Sequence, residues 1–127
     1  MTDPTAAPDT TYASYPSLVN RTVLITGGAD GIGAGIVEQF VAQGSKVAFI
    51  DIQAGKGNAL GERLSADAAH VPLFFEADLA DIPATQAAIA AASEQLGGIT
   101  VLVNNAASDD RHTWQEMTPD YWDERLN

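Results

Sequence analysis

Short apolar runs alternate with longer stretches of helical periodicity along most of this chain. Thr22-Val23-Leu24-Ile25-Thr26 and Lys46-Val47-Ala48-Phe49-Ile50 are continuous in hydrophobicity, as strands buried on both faces are. Between them Ile36, Val37, Phe40 and Val41 recur at helical spacing, and Gly44 stands where a helix stop belongs. A weaker helix is expected over about residues 57–68, with Leu60 and Leu64 inward. Gly55, Gly57 and Gly61 count against it, because glycine gives up the most backbone freedom in a helix. Val71-Pro72-Leu73-Phe74-Phe75 reads as a third strand, its proline near the start where a missing donor matters least. Asp81 caps a helix that runs through Leu96, with Pro83 in the first turn and Gly97-Gly98 closing it. Ile99–Val103 forms a fourth strand, and Thr118-Pro119 opens a last helix with a hydroxyl cap followed by proline. This alternation predicts an α/β fold: a Rossmann-type, doubly wound parallel sheet with right-handed crossovers and strand order 3-2-1-4. Residues 1–14, rich in Pro, Thr, Ala and Asp, read as a flexible tail, which leaves 15–127 as the domain.

In such a sheet a ligand lies at the carboxyl ends of the strands, where the strand order reverses. The segments that fall there are Gly27–Gly33, Asp51-Ile52, Asp78-Leu79 and Asn104–Ala107. Gly27, Gly31 and Gly33 leave backbone that a pyrophosphate can touch, and the helix opening near Gly31 offers free N–H groups and its positive dipole end. Asp30 and Ile32 complete that turn. Glycines also serve tight turns and helix caps, so the turn carries weight only with its context: a strand before, a helix after, an acid about 20 residues on. All three are present. Asp51, ending the second strand, can accept the hydroxyls of an adenosine ribose and repel a 2′-phosphate; read alone, it can also simply begin a turn. Asp30 adds a second negative charge, and the pair favours NAD over NADP. Asp78-Leu79 can meet the adenine or form an ordinary turn. Asn104-Asn105 can be loop punctuation, or amides that hold the strand ends and touch a cofactor together with Ala106 and Ala107.

Composition narrows the partners. The 127 residues are 46% hydrophobic, enough for one compact core. Asp and Glu number 17 against 6 Lys and Arg, a net charge of −11 spread along the chain. With no basic stripe, nucleic acid and anionic membrane surfaces are poor partners. There is no cysteine, which removes disulfides, thiol nucleophiles and thiolate metal sites and fits a reducing cytosol. Met1–Thr10 lacks the positive charge and apolar stretch of a signal peptide, and no apolar run reaches membrane-spanning length. His70 and His112 stand far apart without clustered partners, so no metal site is expected. The expectation is a soluble cytoplasmic protein.

Thr26-Gly27-x-x-x-Gly31-x-Gly33, Asp51, Asp78-Leu79 and Asn104-Asn105-Ala106 together resemble the short-chain dehydrogenase/reductase family over about residues 18–127. One position departs: Ala107 stands where the family usually has glycine, adding a methyl near the nicotinamide ribose. A narrower resemblance, to bacterial sugar dehydrogenases of the D-xylose 1-dehydrogenase kind, rests on Tyr15-Pro16-Ser17-Leu18, on Asp109-Asp110-Arg111-His112 and on Tyr121–Asn127. It implies NAD-dependent oxidation of an aldose at its anomeric carbon to a lactone. The Asp109–His112 loop would then lie beside the substrate pocket, its polar side chains receiving sugar hydroxyls. Read alone, that loop is equally a solvated surface, and His112 an ordinary histidine.

The resemblance also implies catalytic residues that this chain does not contain: a Tyr and Lys four residues apart, a Ser, and a helical Asn falling two positions beyond Asn127. The only lysines are Lys46 and Lys56, and neither follows a tyrosine by four. Tyr121 is followed by Arg125, but on the early helix, not where the family keeps its pair; Tyr121-Trp122 reads as helix packing and a solvated charged face. The chain is thus expected to be the cofactor-binding half of an enzyme, ending after strand 4 and the start of the next helix. The family likeness suggests a homotetramer. The alternatives are a non-catalytic nucleotide-binding fragment, or a reductase of the same family acting on 3-oxoacyl or steroid substrates.

Overall fold

The structure, a computed structural model, describes residues 13–107, 115 and 118–126. After a 3-10 turn at Pro16–Leu18 come β1 (Thr22–Thr26), α1 (Gly31–Ala42), β2 (Lys46–Asp51), α2 (Ala54–Ser65), β3 (Leu73–Glu76), α3 (Ile82–Leu96), β4 (Val101–Asn104) and α4 (Pro119–Leu126). The four strands form one parallel sheet in the order β3-β2-β1-β4, as expected. Val23 stands opposite Val47 on one side and Val101 on the other, and Ala48 stands opposite Leu73.

Both faces of the sheet are covered, which explains the unbroken apolar runs. Val23, Ile25, Val47 and Phe49 point to one face and pack with Val37 and Val41 of α1 and Leu60 of α2. Leu24, Ala48 and Ile50 point to the other, beneath Ala88 and Ala92 of α3. Phe49 is fully buried and tilts against Phe74 with ring centroids 5.2 Å apart. Small side chains let α3 lie close to the sheet. Asp81 accepts the Ala84 N–H at 3.1 Å and so caps α3, with Pro83 in the first turn. Thr118 Oγ1 accepts the Tyr121 N–H at 3.1 Å and does the same for α4.

Four expectations shift. The second helix begins at Ala54, ahead of the glycines that count against it in sequence. Gly57 explains itself: a Cβ there would lie 2.3 Å from the Phe74 ring, so the ring packs directly on helix backbone. β3 begins at Leu73, because Pro72 brings no N–H to a ladder and Val71 is exposed. β4 begins at Val101, while Ile99 packs on the α3 side and the Thr100 N–H reaches Thr22 O. Trp122, expected to pack on α4, is exposed. β4 lies at one edge of the sheet, and its Leu102, opposite Leu24 on the α3 side, is 57% exposed. Of the expected tail, residues 1–12 lie outside the described residues. Gln43 holds the segment leading into the 3-10 turn, accepting the Tyr15 N–H at 2.8 Å and donating to Ala13 O at 3.3 Å.

Candidate functional site

The chain leaves β1 by a turn whose left-handed backbone favours glycine at two points: Gly27 has φ +68° and Gly31 has φ +56°. Gly27 donates its N–H to Ile50 O at 2.7 Å, pinning the turn to β2. Gly33 is a different case, because close approach rather than dihedral angle demands glycine. A Cβ on it would stand 1.8 Å from the Gly27 carbonyl oxygen and 2.6 Å from Asn105 Nδ2. The first turn of α1 therefore presses onto the glycine loop itself.

Asn105 binds the same carbonyl from the other side, its Nδ2 donating to Gly27 O at 3.0 Å. Thr26 Oγ1 accepts two backbone N–H groups, from Asn105 and from Ala106, each at 3.1 Å. The carboxyl ends of β1 and β4 are thus one polar unit. Sequence reasoning placed Thr26 in the motif but gave it no role; its signal was a hydroxyl at the end of an otherwise apolar strand. Ala107, the departure from the family pattern, lines the cleft without left-handed backbone: among the described non-glycine residues only Asn20 has positive φ.

Asp51 closes the far side. It is nearly buried, and its two oxygens are partly committed to the protein. Oδ2 accepts the Ala29 N–H at 3.1 Å, and Oδ1 accepts the Gln53 N–H at 3.0 Å and Gln53 Nε2 at 3.4 Å. A carboxylate oxygen can take about two hydrogen bonds, so Oδ2 keeps acceptor capacity toward the cleft. Asp30, at the N-cap of α1, makes no capping bond to the helix. Its carboxylate meets Lys56 Nζ at 2.7 Å instead, and the lysine beside it, with help from the Gly31 N–H, holds that carboxyl below the ordinary carboxylate range. Asp30 makes no capping bond to the amides beyond Gly31, so the Ile32 and Gly33 N–H groups at the start of α1 remain open to an anion. The negative charge expected at Asp30 is therefore not bare, since a lysine of α2 matches it.

These pieces surround one cleft of about 960 Å³ at the carboxyl edge of the sheet. Gly27, Asp30, Gly31, Ile32 and Gly33 form one wall, Asp51 and Ile52 a second. Asp78 and Leu79 follow β3, and Asn105, Ala106 and Ala107 follow β4. Asp78 Oδ1 accepts the Ala80 N–H at 2.9 Å, so it also shapes its own turn. Ile50, Gln53 and Ala77 line the cleft as well; sequence reasoning missed them because Gln53 contributes through a backbone amide and the other two through position alone. Ile32 and Ile52 stand 79% and 62% exposed, two apolar side chains at a polar opening. Asp109, Asp110, Arg111 and His112 lie outside the described residues. Among the described residues there is no group of three or more His, Cys, Asp or Glu that could hold a metal, and no helix long and apolar enough to cross a membrane.

Residues 21–127 match the short chain dehydrogenase family. The chain belongs to that family. It is 46% identical over 115 residues to a probable galactose dehydrogenase of Rhizobium meliloti, covering 91% of this chain and 45% of that protein. It is 44% identical over 115 residues to the D-xylose 1-dehydrogenase of Caulobacter vibrioides, covering 91% of this chain and 44% of that protein. A solved variant of a Serratia marcescens short-chain dehydrogenase/reductase superposes with a TM-score of 0.78 at 32% identity, over 88% of this chain and 45% of that one. The chain spans less than half the length of the curated relatives it matches. The family typically uses a nicotinamide cofactor, and these relatives are named for small sugar substrates.

Proposed function

We propose that the cleft binds NAD, and that the protein carrying this chain is an NAD-dependent dehydrogenase oxidising an aldose at its anomeric carbon to a lactone. The observation that carries the cofactor reading is Asp51, a nearly buried carboxylate at the end of β2 with acceptor capacity left on Oδ2. The residues fit the dinucleotide. Gly27 and Gly33 lack the Cβ atoms that would close the loop, and the Ile32 and Gly33 amides of α1 are uncapped for a pyrophosphate. Asp51 and Asp78 stand at successive strand ends for ribose and base, and Asn105, Ala106 and Ala107 for the nicotinamide end. When bound, NAD supplies the hydride acceptor. This chain's residues bind and orient it: Asn105 and Thr26 fix the loop, and Asp51 reads the ribose.

The aldose reading is supported by the relatives named for galactose and D-xylose, and we assign the substrate hydroxyls to the Asp109–His112 segment. Cytoplasmic location rests on the cysteine-free composition, and a homotetramer on the family resemblance. Replacing Asp51 by alanine is expected to weaken NAD binding about tenfold, the loss of a hydrogen bond to a charged acceptor, read by calorimetry. The function is tested by following NADH formation by the full-length protein across pentoses and hexoses. Turnover of an aldose supports the reading. NAD binding without turnover of any sugar contradicts the aldose reading and leaves a dehydrogenase of this family with another substrate or a nucleotide-binding module.

A further inference from the structure

The segment that enters β1 is tied to the ends of both helices on one face of the sheet. At the end of α1, Gln43 accepts the Tyr15 N–H at 2.8 Å and donates to Ala13 O at 3.3 Å. Past the end of α2, His70 Nε2 lies 2.6 Å from Asn20 Oδ1. Between them, Leu18 O accepts from Ser45 Oγ at 2.6 Å, and Gly44 O accepts the Asn20 N–H at 2.9 Å.

A second cleft, of about 510 Å³, opens between those two helix ends, away from the glycine turn. Its floor is apolar: Val41 is nearly buried, and Leu64 and Ala68 rest on the core beneath. Its rim is charged, with Glu38 and Arg63 in an exposed ion pair and Asp67 as a further carboxylate. Ala42 and Gly44, the neighbours of Gln43, line it as well, so the side chain that holds Ala13 stands at its edge. Both helices end here, and the negative ends of their dipoles face the same space. An acid entering would meet two carboxylates and two helix C-termini. A neutral group with an apolar body and a hydrogen-bond donor at its tip meets none of that repulsion, and a tyrosine is such a group.

We propose that the ring of Tyr12 occupies this cleft, its hydroxyl donating to Glu38 or Asp67, so that the chain before β1 staples the ends of α1 and α2 together. Tyr12 directly precedes the anchored Ala13 and is the only aromatic residue in positions 1–12. Only one residue beyond a fixed point has to be ordered, which keeps the entropic cost small. The rest of positions 1–12 suits the cleft less well. Asp3 and Asp9 are repelled by its rim, and Met1 would have to close a longer loop to reach its floor. A side chain tethered this close also outcompetes one arriving from another molecule, through its effective concentration.

The test is a NOESY spectrum of the isotopically labelled protein, with thermal unfolding alongside. The expected result is a set of cross-peaks from the Tyr12 ring to methyl groups of Val41, Leu64 and Ala68. Tyr12→Ala is expected to shift those methyl signals, to leave the amides of the glycine turn in place, and to lower Tm by roughly 5 °C. Tyr12→Phe keeps the cross-peaks and most of the Tm, because the hydroxyl reaches only the rim. Absent cross-peaks, with the methyl signals unmoved by Tyr12→Ala, overturn the proposal. So do methyl signals that move when residues 2–11 are deleted but not in Tyr12→Ala, since another part of the segment then fills the cleft. Methyl shifts that follow protein concentration and ignore Tyr12 overturn it in favour of a second copy of the chain.

Discussion

Replacing Gly33 by alanine is expected to abolish measurable nucleotide binding and to lower the stability of the fold by about 3 kcal/mol. The added methyl would stand 1.8 Å from a backbone oxygen, the Gly27 carbonyl, and 2.6 Å from Asn105 Nδ2. No rotamer relieves a clash between a Cβ and a carbonyl oxygen, so the first turn of α1 must lift off the loop. That movement takes the Gly27 carbonyl from Asn105 and moves the first amides of α1 away from where a pyrophosphate would sit. Gly35, on the same helix with nothing within 4 Å of its added Cβ, is the control: alanine there is tolerated and improves helix propensity. Thermal unfolding and NAD calorimetry on the two variants check the contrast. Equal behaviour of Gly33→Ala and Gly35→Ala would contradict the packing of α1 on the loop.

Phe49→Ala is expected to cost about 4 kcal/mol, a large share of the stability a small domain has. Phe49 is fully buried at the centre of the larger core cluster, stacked at a tilt on Phe74 and packed with residues of β1 and α1. It also floors the site: a Cβ on Gly28 would come within 2.7 Å of Phe49 Cβ. The cavity left by alanine therefore opens directly beneath the glycine turn, and nucleotide affinity falls with stability. Denaturant unfolding measures the first and calorimetry the second. A loss below about 1 kcal/mol would show that this ring does not carry the core.

The strands and their order were legible because a parallel sheet covered on both faces asks for unbroken apolar runs, and β1 and β2 carry them at Val23–Ile25 and Val47–Ile50. The cleft was legible because strand ends, glycines and acids stand at spacings that the topology converts into proximity. What escaped depends on pairs the chain brings together from a distance. Gly57 counts as a helix breaker until the Phe74 ring is seen lying on its backbone. Asp30 reads as a free charge until α2 starts at Ala54 and delivers Lys56, 26 residues away, to its carboxylate. Thr26 reads as the end of a strand until two amides from the β4 end converge on its hydroxyl. Local pattern reveals none of these partners, since each is set by how far one element extends before the chain turns.

A dinucleotide held by the glycine turn and the uncapped start of α1 must perturb the amides of both. An NMR titration of NAD into the isotopically labelled protein, following backbone amides and the Asn105 side-chain amide, reads this residue by residue. Gly27, Gly31, Ile32 and Gly33 are expected to shift together with Ala106, all fitting one dissociation constant. Shifts confined to residues outside this cleft, or none at saturating NAD, would contradict a dinucleotide site in it.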